Sequence, residues 1–366
     1  MRPVRDAAAL GAEIRDLVGR SQRDTVSIME VCGTHTVSLF RSGARSFLPE
    51  NLKLLSGPGC PVCVTSQGYL DAACELAARD DVIVATYGDM VRVPGAKGSL
   101  EGMRGEGAKV AVVYSARDAL KLAQAHPERQ VVFLAVGFET TTPATATTVL
   151  AAAQQGVDNY SILPAHKLVI PAMDALLAGG EVPVDGFLCP GHVSVVIGAD
   201  AYAPIAANYG KPCVVAGFEL EGMLEAVLRI VRQVAADEAR VENVYGAAVS
   251  AAGNTAAWDL VERVFEPGDT VWRAMGTLPA SGLELRPAYR RFDARERFGV
   301  AYGPDQHPPG CLCGEVIQGK VSPADCALFG TGCTPLSPIG PCMVSSEGTC
   351  AAWYKYRRPA QAAGER

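Results

Sequence analysis

Short apolar runs alternate with helix-patterned segments through the first two thirds of this 366-residue chain, and few folds accommodate that rhythm. The runs are Val26–Val31, Leu52–Leu55, Val82–Thr86, Val110–Tyr114, Val131–Val136, Ser161–Leu163, Gly186–Leu188 and Cys213–Ala216. Between several of them lie Gln67–Ala78, Ala116–Ala125, Ala144–Gln154, Ala172–Leu177 and Leu220–Ala236, with apolar residues at helical spacing. A further helix opens the chain through Leu10, Ile14, Leu17 and Val18. Repeated strand, helix and strand make βαβ units, whose parallel strands are covered on both faces. The predicted fold class is α/β with mostly parallel, open sheets.

The length exceeds one comfortable hydrophobic core, so two or three domains are expected. Ala-Val-Gly-Phe-Glu at 135–139 echoes Val-Ala-Gly-Phe-Glu at 215–219, and Leu-Pro-Ala-His at 163–166 echoes Cys-Pro-Gly-His at 189–192. These echoes fit two similar α/β lobes around a cleft, placed at 1–130 and 131–239. Beyond residue 240 the alternation fades and Pro and Gly become dense between Pro267 and Pro341. Residues 240–366 therefore read as a loop-rich third domain held by metal, ending in an unstructured tail over 357–366.

Net charge is −6, from 33 basic and 39 acidic residues, with no long Lys/Arg run, so a nucleic-acid surface is not expected. No apolar stretch approaches the roughly 18 residues that span a bilayer. Glu13, Arg15 and Asp16 interrupt any secretory signal, so the expected compartment is the cytoplasm. Thiols stay reduced there, and clustered cysteines read as metal ligands or catalytic thiols before structural disulfides. The chain carries no phosphate-loop motif, no dinucleotide fingerprint and no Gly-x-Ser-x-Gly elbow.

Six of the twelve cysteines fall between Cys311 and Cys350. Cys311, Cys326, Cys333 and Cys350 are separated by 14, 6 and 16 residues, with Cys313 and Cys342 interspersed. Soft thiolates suit an iron–sulfur cluster or zinc, and the spacing lacks the two close pairs of a zinc ribbon. Chemistry alone leaves open which four of the six ligate. Cys60 and Cys63 form a C-x-x-C between a predicted strand and a predicted helix, a spacing that permits an internal disulfide. Cys32 and His35 sit at another strand end, where thiolate and imidazole could share an iron or activate one another, against a plain packing role. Glu139 is the functional candidate in Glu-Thr-Thr-Thr-Pro, whose threonines, Thr140 among them, and proline also suit a helix start. Asp89, His166 and His192 are candidates from their strand-end positions, against helix capping or packing. Cys74, Cys189 and Cys213 read as packing residues.

Glu-Val-Cys-Gly-Thr-His (30–35), Gly-Pro-Gly-Cys-Pro-Val-Cys (57–63), Gly-Phe-Glu-Thr-Thr-Thr-Pro (137–143), Pro-Gly-His-Val-Ser (190–194) and Gly-Pro-Cys-Met-Val-Ser-Ser-Glu-Gly-Thr-Cys (340–350) together resemble the HypD family of hydrogenase maturation proteins. That resemblance implies a [4Fe–4S] cluster on Cys311, Cys326, Cys333 and Cys350, with Cys313 and Cys342 as non-ligands. It further implies a cytoplasmic scaffold for the Fe(CN)2CO group of [NiFe] hydrogenases. On it, Cys32 contacts the iron, a transient Fe(II) gaining cyanide and CO ligands. Cys60 and Cys63 are a redox pair, and His35 and Glu139 line the same cleft. The implied partners are the small chaperone HypC, HypE with HypF as cyanide donor, and the hydrogenase large-subunit precursor. An iron–sulfur thiol–disulfide oxidoreductase acting on a small substrate is the alternative, and a metal-stapled binding protein the third reading.

Overall fold

Burial of the central strands in this chain is continuous instead of alternating, which is what dictates the architecture. The computed structural model describes residues 6–21 and 23–356, and the tail expected at 357–366 lies outside them. Every residue is buried in β1 (Val26–Glu30), whereas β2 (Leu52–Ser56) is partly exposed. The same full burial holds for β3 (Val82–Thr86), while β4 (Val110–Val112) lies at an edge. Then come β5 (Gln130–Gly137), β6 (Tyr160–His166), β7 (Gly186–Pro190), β8 (Cys213–Ala216) and β9 (Val241–Asn243). A strand buried on both faces needs helices on both sides, and parallel pairing with helical crossovers supplies them.

Two parallel sheets result, one with order β2-β1-β7-β8-β9 and one with order β4-β3-β5-β6. Register in the first runs from Val26 opposite Leu52 to Glu30 opposite Ser56, and in the second from Val131 opposite Tyr160 to Gly137 opposite His166. All eight expected strands form, and so do the expected helices. The opening helix Ala7–Arg20 turns Leu10, Ile14 and Val18 inward and packs on Leu220–Ala235, which presents Met223, Leu224, Val227 and Val231. Each such aliphatic side chain contributes roughly 1.5–3 kcal/mol by leaving water.

The lobes are not consecutive in sequence, which departs from the expected division. The five-stranded sheet draws on 26–56 and 186–243, and the four-stranded sheet on 82–166, so the second lobe is inserted into the first. A boundary at 130 falls at the start of β5 and would part it from its neighbour β3. A boundary at 239 would part β8 from β9. The sequence echoes mark equivalent strand ends, β5 with β8 and β6 with β7, without marking where either lobe begins.

A hairpin that the sequence concealed joins the lobes to the C-terminal region. Its strands, β10 (Phe265–Trp272) and β11 (Gly276–Leu285), are antiparallel with a register shift between Gly268 and Thr270. Pro267, Gly268, Pro279 and Gly282 punctuate both strands, and such residues normally argue against a strand interior. One end of the hairpin sends Phe265, Leu283 and Leu285 into the core of the four-stranded sheet. The other sends Trp272 and Leu278 into a core shared with the C-terminal cysteines. Trp272 is fully buried, its ring stacked 5.9 Å from that of Phe138, and its Nε1 donates to Ser281 Oγ at 2.9 Å. Among the described residues, no helix is long and apolar enough to cross a membrane.

Trp272→Ala would empty the junction of three regions and remove the indole bond to Ser281, whose hydroxyl still donates to the Leu278 carbonyl. We expect a loss of about 3–5 kcal/mol in guanidinium unfolding, the range for large-to-small core changes. An unchanged midpoint would show that the hairpin does not hold the lobes.

Candidate thiol centre between two sheet edges

In an open parallel sheet, the point where strand order reverses leaves a crevice beyond the carboxyl ends of the strands. The reversal falls between β1 and β7 in one sheet and between β3 and β5 in the other. The segments at those four strand ends line a single cavity of about 280 Å³. Val31 and Cys32 follow β1, Pro190 and His192 close β7, Tyr87 and Met90 follow β3, and Phe138 and Thr140 follow β5. Gly59, Pro61 and Val62 after β2 and Glu347 from the C-terminal region complete the wall.

Cys32 is the N-cap of the helix Gly33–Arg41, in extended conformation. Close packing fixes it there. A Cβ on Gly59 would lie 2.2 Å from the Cys32 nitrogen, and one on Gly33 would lie 2.5 Å from the Glu347 carbonyl oxygen. The Cys32 amide donates to Glu30 Oε2 at 3.4 Å, and Thr36 Oγ1 donates to Glu30 Oε1. Burial pushes the Cys32 thiol up to about 12, with the nearby Glu347 carboxylate adding to the shift. Burial also raises Glu30 to about 7, against the hydrogen bonds from Thr36 and Ser56. Glu347 Oε1 accepts from Thr34 Oγ1 at 2.6 Å. The sequence marks Glu347 only as the acid of the 340–350 motif and assigns it no role.

Of the other candidates, Thr140 and His192 line this cavity, and the His192 ring packs 4.2 Å from Phe218. His35, expected beside Cys32, does not line it. Three residues of helix turn the imidazole toward β8, where Nε2 lies 2.9 Å from the Gly217 carbonyl oxygen and the ring meets Phe218. Burial lowers His35 to about 4, so the ring is neutral. Glu139, also expected in the cleft, lines a separate cavity on the other side of its loop. Its neighbours Phe138 and Thr140 face the cleft, so the intervening side chain faces away. His166 is buried against Phe265, with Nε2 2.9 Å from Thr145 Oγ1, and is outside the cleft. Asp89 is a latch instead of a cleft residue, accepting from the Ser346 amide at 2.9 Å and from the hydroxyls of Ser345 and Ser346 at 3.2 and 3.0 Å.

Cys60 and Cys63 sit behind the cleft wall that Pro61 and Val62 form. Cys60 caps a one-turn helix, Pro61–Val64, where its Sγ accepts from the Cys63 amide at 3.3 Å and donates to Ser345 Oγ at 3.3 Å. Cys63 is fully buried, which pushes its thiol well above the ordinary range. Its sulfur faces Cys342, which also reaches Cys313 and Cys350.

All six C-terminal cysteines line one further cavity, whose other walls are apolar and include Leu312, Val316, Leu328, Phe329 and Met343. Cys313 meets Cys311 and Cys342, and Cys342 meets Cys350, so these thiols touch in a chain and leave about 10 Å³ of space. Among the described residues, no three His, Cys, Asp or Glu side chains are grouped for a single metal ion. Gly340 leaves room for the thiols, since a Cβ there would lie 2.8 Å from Cys311 Sγ. The Ile339 amide donates to Cys333 Sγ at 3.3 Å. Six soft thiols on apolar walls are a donor set of the kind that suits an iron–sulfur cluster.

The chain matches the family described as HypD, hydrogenase formation hypA family, over residues 6–357. It is 48% identical over 364 residues to the hydrogenase maturation factor HypD of Azotobacter vinelandii, covering 96% of each chain. It is 46% identical to that of Cupriavidus necator, covering 96% of this chain and 94% of the relative. With that of Escherichia coli K12 it shares 47% over 332 residues, covering 90% and 89%. Matches of that depth span both lobes, the facing strand ends and the cysteine cradle, and the chain therefore belongs to the HypD family of hydrogenase maturation factors.

Proposed function

We propose that this chain is a cytoplasmic scaffold in [NiFe] hydrogenase maturation. Its cargo is an Fe(II) centre that gains two cyanides and one CO while held by the Cys32 thiolate and by a HypC-type chaperone. HypE, with HypF, delivers cyanide, and the finished group leaves for the hydrogenase large-subunit precursor. The observation that carries this reading is the placement of Cys32, with Glu347 beside it, where the switch points of two parallel sheets face one cavity. A dication offsets the burial that keeps the thiol protonated, and binding releases that proton.

Cys311, Cys326, Cys333 and Cys350 would hold a [4Fe–4S] cluster, which supplies one-electron chemistry when bound. Oxidation of Cys60 and Cys63 to a disulfide releases two electrons and two protons; the Cys63 sulfur faces Cys342 at the cradle, while the Cys60 sulfur donates to Ser345 Oγ. That inward aim favours a relay over a thiol–disulfide oxidoreductase that meets a small substrate directly.

Infrared spectroscopy of the anaerobically co-purified complex with the HypC-type chaperone tests the scaffold. Cys32→Ala should abolish the cyanide and CO stretches and leave visible cluster absorption intact; surviving bands would remove Cys32 from the site. Cys333→Ala should bleach the protein and destabilise the region beyond residue 300, and a brown, fully folded variant would overturn the ligand set. In an anaerobic redox titration, Cys60 and Cys63 should cycle as one reversible two-electron couple, lost in Cys63→Ser. A pair that stays reduced throughout would exclude the relay.

A further inference from the structure

Hairpin turns usually lie in water, yet the first turn residue after β10, Arg273, is 1% exposed. Its backbone amide donates to the Val64 carbonyl at 2.9 Å, and its Nε donates to the Thr65 carbonyl at 2.9 Å. Both acceptors close the one-turn helix that carries Cys60 and Cys63. The residues on either side of Arg273 reach the cradle. Trp272 shares a core with Cys313, Cys342 and Cys350, and a Cβ on Gly314, next to Cys313, would lie 2.4 Å from the Ala274 Cβ. Gln318 clamps the same turn, its Nε2 donating to the carbonyls of Ala274 and Gly314 at 3.1 Å each. The side chain of Arg273 is thereby fixed between the C-x-x-C helix and the cysteine cradle.

The guanidinium has no counter-charge there from a carboxylate. Nη2 is buried without a hydrogen-bond partner, and among the described residues no carboxylate is ion-paired with it. Asp305 serves the adjacent backbone instead, Oδ2 accepting from the Ala274 amide at 3.0 Å and Oδ1 from the Gln67 amide at 2.8 Å. A buried, unpaired ion is costly, and proteins that keep one pair it with an anion or a bound group. The anion that these surroundings supply is thiolate. A hydrogen bond with Cys313 and burial push the Cys311 thiol up, and the Arg273 charge opposes them. Lys167, the other base buried against the hairpin, is no substitute. Burial lowers its ammonium to about 7, and its Nζ donates to the Val271 carbonyl at 2.7 Å. A guanidinium stays charged at any working pH.

We infer that Arg273 is the fixed counter-charge of the cysteine cradle, placed to offset the thiolates of a bound cluster and to raise the potential at which that cluster accepts an electron. On the cluster reading proposed above, four thiolates leave the loaded centre net negative, and one-electron reduction adds a further negative charge. A fixed cation in low-dielectric surroundings therefore stabilises the reduced form more than the oxidised one.

The test is a potentiometric titration of the full-length protein, reconstituted anaerobically with ferrous iron and sulfide. It is followed by electron paramagnetic resonance at pH 8, where Lys167 is mostly neutral. Arg273→Gln should lower the one-electron reduction constant by about threefold to tenfold, a midpoint about 28 to 59 mV more negative. Arg273→Met, apolar and of similar length, should give the same shift, and it carries the test if the Gln variant fails to fold. Arg273→Lys keeps the charge and loses the bond from Nε to Thr65, so it should hold the constant within about threefold of the unaltered protein. A Gln or Met midpoint that does not move, or a Lys midpoint displaced as far as theirs, would overturn the role. If the unaltered protein gains no visible cluster absorption, the cluster reading falls and this role falls with it. A brown protein whose midpoint ignores the charge-removing variants loses only the role of Arg273.

Discussion

Four residues, Val344–Glu347, connect every part of the working face. Ser345 and Ser346 bind Asp89 beyond β3, and the Val344 carbonyl accepts from Arg92 Nη2 at 3.2 Å, so the C-terminal region is tied to the four-stranded sheet. Glu347 accepts from Thr34 and packs directly on Gly33, which ties the same segment to the five-stranded sheet. Cys60 reaches Ser345 from the third side. Hydrogen bonds to a charged acceptor contribute about 1.5–3 kcal/mol each, and Asp89 receives three. This segment therefore sets the distance between the two sheet edges and the position of the cysteine cradle behind them. The cleft depends on this turn in front and on the hairpin behind, which together anchor three regions to one another.

The parts legible in the sequence were those governed by local periodicity and by thiol chemistry. Continuous apolar runs such as Val82–Thr86, alternating with helical segments, read as central parallel strands, and six cysteines in 40 residues read as a thiol cluster ahead of ordinary packing. Long-range pairing was not legible. Nothing near residue 130 or 239 signals that β1 pairs with β7 across an inserted lobe, because the pairing is decided by burial after both segments exist. The hairpin at 265–285 was hidden by its prolines and glycines, which the bulge and edge positions tolerate. Side-chain direction was the other blind spot. His35 and Glu139 each sit within a few residues of the cleft, yet both point out of it. Strand-end position locates the loop, whereas the facing side chain depends on the next two or three backbone angles.

The electrostatics of the cleft separate the competing roles for Cys32. A thiol held near 12 is protonated at neutral pH and is a weak nucleophile, so the site is ill suited to covalent thiol catalysis. Two acids beside it, Glu347 and the half-ionised Glu30, deepen that disadvantage for any reaction that builds negative charge. A bare dication reverses both effects, because it displaces the thiol proton and is attracted by the carboxylates. On the proposed function the balance then shifts as the cargo matures. Each cyanide cancels one charge of Fe(II), so the finished Fe(CN)2CO unit is neutral and its thiolate complex carries net negative charge. The carboxylates that drew the iron in then repel the completed group, and a site built to capture Fe(II) becomes one that favours its transfer.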